Sequence, residues 1–220
     1  MARSSAREQK AAQPALTAII LAGGGATRLD GADKPALEVG GEPMLVSVAR
    51  AAASAGAGQL IVVGPERGGA VARGLAEVAA LVAGGIVTVR EAPPGAGPVP
   101  AARCGLAENR APWVALLAAD LPFLTGVWVA GLRSAASAAG RDGAVLADAD
   151  GRPQWLAGCW RASALGPALA RYSGQSLGGL LGPLDPLLVP AAQDTRPPWL
   201  DCDDPRSLAA ARAAYPDGER

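Results

Sequence analysis

Short apolar runs, each closed by Gly, Pro or Asp, recur along the chain with helix-length spacers between them. This alternation constrains the fold more than any other feature, because strands joined by helical crossovers come to lie parallel in one sheet. It predicts an α/β domain with a mainly parallel central sheet. Strands are expected over 17–21, 59–63, 86–89, 113–117, 143–146 and 154–159. Two runs, Ala18-Ile19-Ile20-Leu21 and Trp113-Val114-Ala115-Leu116-Leu117, are continuously apolar. Strands covered on both faces read that way, so these two should be central. Segments 43–55, 68–82, 98–107 and 126–138 carry Ala, Leu and Arg at helical density, with Gly or Pro near their ends as stop signals. A last helix should begin after Asp204-Pro205, with Asp as N-cap and Pro at the first helical position.

Segments 92–100 and 182–198 are rich in Pro and Gly and read as long loops within the domain, the usual place for a site. At 220 residues, half of them hydrophobic, the chain fits one domain with a sizeable core. That domain is expected over 16–215, with 1–15 a flexible N-terminal tail and 216–220 a C-terminal tail.

Twenty basic residues balance twenty acidic ones, so net charge supports binding neither to nucleic acid nor to an anionic membrane. Any phosphate must be met locally. No stretch approaches the roughly 20 apolar residues of a bilayer span, and residues 1–14 lack the apolar core of a secretory signal. The three cysteines show no CxxC spacing and an odd count, which argues against a disulfide framework and for a reducing, cytoplasmic setting. Histidine is absent. That excludes Ser-His-Asp and Cys-His nucleophiles, HExxH zinc sites and imidazole bases together.

The first strand runs into Leu21-Ala22-Gly23-Gly24-Gly25-Ala26-Thr27-Arg28, followed shortly by Asp33-Lys34-Pro35. Successive glycines let backbone N–H groups approach a polyphosphate with no Cβ in the way. Arg28 can fork onto phosphate oxygens, while Lys34 supplies a compact charge. The spacing fits neither the dinucleotide fingerprint nor a P-loop. A chain-reversing turn with two solvated cations would show the same glycines.

At the end of the strongest apolar run, Asp120 stands where ligands bind in open α/β sheets. It is a candidate ligand for Mg²⁺, which takes one or two carboxylates alongside water and phosphate oxygens, or else an N-cap. Near the C-terminus Asp201 and Asp203 are two residues apart and share a side if the segment is extended, so either could complete a metal site with Asp120. Both could equally be exposed acids ahead of a cap at Asp204. Trp155 and Trp160 flank a strand and offer a stacking surface for a planar ring, or ordinary packing.

Taken in this order, the motifs resemble the molybdenum cofactor guanylyltransferase family of the nucleotidyltransferase superfamily. Its opening Leu-Ala-Gly-Gly, three variable residues, Arg and then Asp-Lys is matched by Leu21 to Gly24, Arg28 and Asp33-Lys34. Its Cys-Asp-x-Pro-Phe is matched by Ala119 to Phe123, and its acidic C-terminal signature by Asp201 to Pro205. Gly97-Pro98 echoes a Gly-Pro-Leu-Ala-Gly loop more loosely. Leu29 and Asp30 replace the usual Met and Gly, Asp30 adding an anion, and Ala119 replaces the Cys.

The resemblance implies a single three-layer Rossmann-like nucleotidyltransferase domain that transfers GMP from GTP to molybdopterin carrying molybdenum, with Mg²⁺ as cofactor. Molybdoenzyme apoproteins or their chaperones would receive the product. Gly23, Gly24, Gly25, Arg28 and Lys34 would hold the triphosphate and leaving pyrophosphate, with Arg28, Lys34 and Asp120 the catalytic set. Asp120 with Asp203 or Asp201 would hold the metal, and Leu21, Ala22, Gly97 and Pro98 would contact the base. The Gly23-Gly24 pair tilts base choice toward guanine over the Leu-Ala-Ala-Gly opening of cytidylyltransferases. A cytidylyl- or sugar-phosphate nucleotidyltransferase, and a non-catalytic pterin or nucleotide carrier, remain as alternatives.

Overall fold

The computed structural model describes residues 14–23, 32–191 and 196–215. Its first strand, β1 (Leu16–Leu21), is buried along its whole length. There follow a one-turn 3-10 helix at Lys34–Ala36, the short strands β2 (Glu38–Val39) and β3 (Glu42–Pro43), and α1 (Met44–Ser54). The middle of the chain alternates strictly: β4 (Gln59–Val63), α2 (Gly69–Ala79), β5 (Ile86–Val89), α3 (Pro98–Ala107), β6 (Trp113–Ala118), α4 (Gly126–Ala138) and β7 (Gly143–Ala147). Then come β8 (Pro153–Arg161), α5 (Ala162–Arg171), α6 (Leu177–Leu181), β9 (Leu187–Pro190) and α7 (Pro205–Ala213).

Seven strands form one sheet in the order β5-β4-β1-β6-β8-β7-β9. β5, β4, β1 and β6 pair in parallel, as do β7 and β9, while β8 runs antiparallel to both its neighbours. Successive residues of a strand face opposite sides. Ala18 and Ile20 therefore pack with α1, α2 and α4 on one face, and Ile19 with α3 and α5 on the other. The result is three layers, helix, sheet and helix, with β1 and β6 at the centre as their sequences require. Gly105 sets the approach of α3 to the sheet: a Cβ there would lie 2.5 Å from Cγ2 of Ile19. A smaller cluster of Val39, Met44, Phe123, Cys202, Leu208 and Ala211 ties α7 to the β2–β3 ribbon.

The six expected strands and the helices from α1 to α4 are present, four of them with the expected bounds and the rest with ends shifted by at most three residues. α7 starts as expected: the Asp204 carboxylate accepts from the N–H groups of Arg206 and Ser207 at 2.7 and 2.9 Å. Segment 182–198, read as a loop, instead contains a 3-10 turn and β9, which pairs with β7 in register. Leu187-Leu188-Val189 is short and bounded by prolines, so local signals mark a turn, and only the open edge of β7 makes it a strand. α5 was hidden by Gly166 and Pro167 within it. All three cysteines are free thiols. Among the described residues no helix is long and apolar enough to cross a membrane. Residues 1–13 and 216–220, expected to be tails, lie outside those described.

Candidate active site

Strand order reverses its sense between β1 and β6: β4 and β5 follow β1 on one side, and β6 is laid down on the other. At such a switch point the loops leaving the two strands diverge and open a crevice beyond their carboxyl ends. A pocket of about 290 Å³ occupies this place. The exit of β1 supplies Leu21 and Gly23, and the following turn supplies Lys34 and Pro35. The β5–α3 connection adds Glu91, Gly95, Gly97 and Pro98, the end of β6 adds Ala118 to Asp120, and the C-terminal segment adds Asp203. Leu156 of β8 contributes apolar wall.

Lys34 stands at the start of a one-turn 3-10 helix whose second residue is Pro35, a residue pre-set for a helical first turn. Its ammonium lies 2.5 Å from Oδ1 of Asp203. Asp203 reaches the pocket because the backbone N–H of Cys202 donates to the carbonyl of Asp120 at 3.3 Å, fastening the segment before α7 to the end of β6. Cys202 is fully buried in this seam, and burial, with Asp120 and Asp201 nearby, pushes its thiol up to about 12.

The electrostatics centre on Asp120. Burial, then the charges of Asp201 and Asp203, raise its carboxyl to about 6, with Lys34 opposing them. The Asp201 carboxyl is raised as well, by desolvation and then by Asp203. Carboxylates gathered with too little positive charge form a donor set that suits a hard cation. Among the described residues no group of three or more His, Cys, Asp or Glu side chains could hold a metal on its own. Mg²⁺ does not require one, since it keeps several waters and takes one or two carboxylates plus substrate phosphate.

Leu21, Gly23, Lys34, Gly97, Pro98, Asp120 and Asp203 therefore line one pocket. Ala22 is buried and points its N–H to the Val63 carbonyl at 2.8 Å. Asp201 is not in the lining but acts electrostatically on Asp120. Gly24, Gly25 and Arg28 lie outside the described residues. Trp160 is wholly buried in the sheet core, and Trp155 packs against the same cluster beside Gly178, so neither was found facing the pocket.

Sequence reasoning missed Glu91. It is 7% exposed and lines the pocket. Its Oε1 accepts from Gly95 N–H at 2.9 Å, while its buried Oε2 has no partner. Glu91 stands two residues beyond the carboxyl end of β5, as Asp120 does beyond β6. Also missed was Arg67, in the connection from β4 to α2, which bonds to both Asp33 and the Ala22 carbonyl.

Comparison with known proteins agrees with this fold. Residues 18–187 match the family model of the MobA-like NTP transferase domain, a match that stops short of Asp201 and Asp203. A molybdenum cofactor guanylyltransferase of Cupriavidus necator is 32% identical over 142 residues, 63% of this chain and 66% of that protein. The chain thus aligns with just under two thirds of that relative's length. Among solved structures, a nucleotidyl transferase from Methanothermobacter thermautotrophicus superposes with a TM-score of 0.70 at 18% identity, covering 91% of this chain and 97% of the other. The molybdopterin-guanine dinucleotide biosynthesis protein A of Archaeoglobus fulgidus gives 0.65 at 15% identity, covering 90% and 97%. At these identities the two structures speak for the fold.

Proposed function

Because the chain belongs to the MobA-like NTP transferase domain family, we propose that it transfers GMP from GTP to the terminal phosphate of molybdopterin, the acceptor carrying molybdenum, with release of pyrophosphate. The observation that carries this reading is the convergence of Lys34, Asp120, Asp203 and Glu91 on one pocket. A cation and an acidic pair face one another there, and a buried carboxylate with an unpaired oxygen sits on the β5–α3 side.

The residues divide the nucleotide between them. Lys34 meets the triphosphate as a point charge, and Gly23 leaves its backbone open to close approach. Asp120 and Asp203 would hold Mg²⁺, whose charge would offset that of the triphosphate and of the departing pyrophosphate. Nucleotide phosphate would compete with Asp203 for the Lys34 ammonium and leave that carboxylate available to the metal. On the other side, the Glu91 carboxylate, which lines the pocket, would accept from a base edge that offers N–H donors. Guanine presents two such donors side by side, which a carboxylate matches. Gly97 and Pro98 form the adjoining wall.

Attack by an ionised phosphate on the α-phosphorus needs no general base, so the work is positioning and charge stabilisation. A chain without histidine is equipped for that. The test is pyrophosphate release by purified protein with Mg²⁺, the pterin acceptor and each of GTP, CTP, ATP and UTP. The expected result is release with GTP well ahead of the others. Preference for CTP would move the chain to cytidylyl transfer, binding without release would make it a carrier, and no release with any nucleotide would refute transfer to this acceptor.

A further inference from the structure

Arg67 is a surface-loop arginine by sequence, yet its side chain is only 8% exposed. Its Nε and Nη2 form a fork on the Asp33 carboxylate at 2.6 and 2.8 Å. The same Nη2 donates to the Ala22 carbonyl at 2.7 Å, and Nη1 donates to the Pro65 carbonyl at 3.2 Å. These bonds join three separate pieces of chain: the exit of β1, the residue before Lys34, and the loop after β4.

The placement of the partners gives the cluster its meaning. Ala22 is the last residue before Gly23, and Asp33 directly precedes Lys34. Asp33 occupies the N-cap position of the 34–36 turn, where an aspartate ordinarily bonds to backbone N–H groups, but its side chain makes no capping bond. The carboxylate is turned to Arg67 instead. Ala22 is itself held to β4 through its N–H on the Val63 carbonyl. A Cβ at Gly64 would come within 2.7 Å of the Ala22 carbonyl oxygen, so the loop bearing Arg67 runs hard against the end of β1.

We infer that Arg67 is a positioning residue: by clamping Ala22 and Asp33 together it fixes where the Lys34 ammonium stands in the pocket, and it neutralises the Asp33 carboxylate, which adjoins Lys34 in the chain and would otherwise repel a polyphosphate. The planar fork satisfies Asp33 with two parallel bonds while also reaching a carbonyl, a geometry that the point charge of a Lys reproduces only in part. The inference rests on the proposed nucleotide site. It adds a residue that touches neither nucleotide nor metal and acts through its neighbours.

A positioning role directed at the phosphates separates from a general structural one by what the loss depends on. Titration calorimetry of the full chain with Mg²⁺-GTP and with GMP, on wild type, Arg67→Gln, Arg67→Lys and Asp33→Asn, reads that dependence. Circular dichroism confirms that each sample is folded at the working temperature. Arg67→Gln is expected to weaken GTP tenfold or more and GMP less than twofold, because GMP lacks the distal phosphates that Lys34 meets. Arg67→Lys should fall between it and wild type. Adding Asp33→Asn to Arg67→Gln should cost less than the product of the two single losses, since both remove the same clamp. Equal weakening of GTP and GMP, or no weakening of either, overturns the inference. Should Arg67→Gln fail to fold, Arg67→Lys decides the same comparison, with a threefold selective loss of GTP expected. If wild type binds neither nucleotide, the proposed function falls and this inference with it, an outcome recognised before any variant is compared.

Discussion

Replacing Asp120 by Asn should make the protein more stable and nearly inactive. The carboxyl rises from an ordinary 3.8 to about 6 on folding. The folded protein therefore binds this proton more tightly than the unfolded chain does. As pH climbs through the window between those values, stability is lost, and above it the full penalty is present. The shift of about 2 units corresponds to about 3 kcal/mol at 1.36 kcal/mol per unit, and the site's partial contact with water lowers that to roughly 2–3 kcal/mol. Asn keeps the shape and removes the charge. At pH 7 in chelator the variant should melt on the order of 4–10 °C above wild type, as expected for a chain of this length. At pH 4 most of the gap should close, because wild type is then largely protonated at this position when folded. Calorimetric melts at the two pH values measure the effect, and pyrophosphate release measures its functional counterpart, an expected loss of roughly a hundredfold or more. An Asn variant that is no more stable at neutral pH, or whose advantage grows on acidification, would refute the account of why Asp120 is strained.

Other perturbations test other parts of the molecule. Lys34→Gln removes the charge that holds the Asp120 and Asp201 carboxyls down, so the acidic limb of the pH–rate profile should move to higher pH while kcat/KM falls roughly a hundredfold. Gly105→Ala places a methyl 2.5 Å from Ile19 Cγ2 and 3.0 Å from Val63 Cγ2. Forcing α3 off the sheet should cost about 1–3 kcal/mol, read from the urea midpoint. Asp204→Ala removes the acceptor for two N–H groups of α7, and a loss of about 1 kcal/mol is expected in the same assay.

The parallel half of the sheet was legible because β1, β4 and β6 bury both faces and so write uninterrupted apolar runs. The far half was not, because β9 is an edge strand of mixed burial and owes its conformation to β7. The same contrast holds in the pocket. Lys34 and Asp120 could be found from the elements they end or begin, since position at a strand's carboxyl end is a local property. Which of Asp201 and Asp203 enters the pocket depends on how the C-terminal segment docks on β6, and no local signal carries that. Arg67 was invisible for a related reason. Its partners lie 45 and 34 residues away, and nothing in Gly64-Pro65-Glu66-Arg67 marks the guanidinium as turned inward.

The seam between Cys202 and Asp120 has a consequence for synthesis. The sheet and most of the pocket wall are complete once β9 has left the ribosome, but the carboxylate opposite Lys34 arrives only with the stretch after it. A nascent chain can thus hold its architecture before it holds its chemistry. A ribosome that stalls short of Asp203 leaves a chain with most of the pocket wall in place but without the carboxylate that faces Lys34.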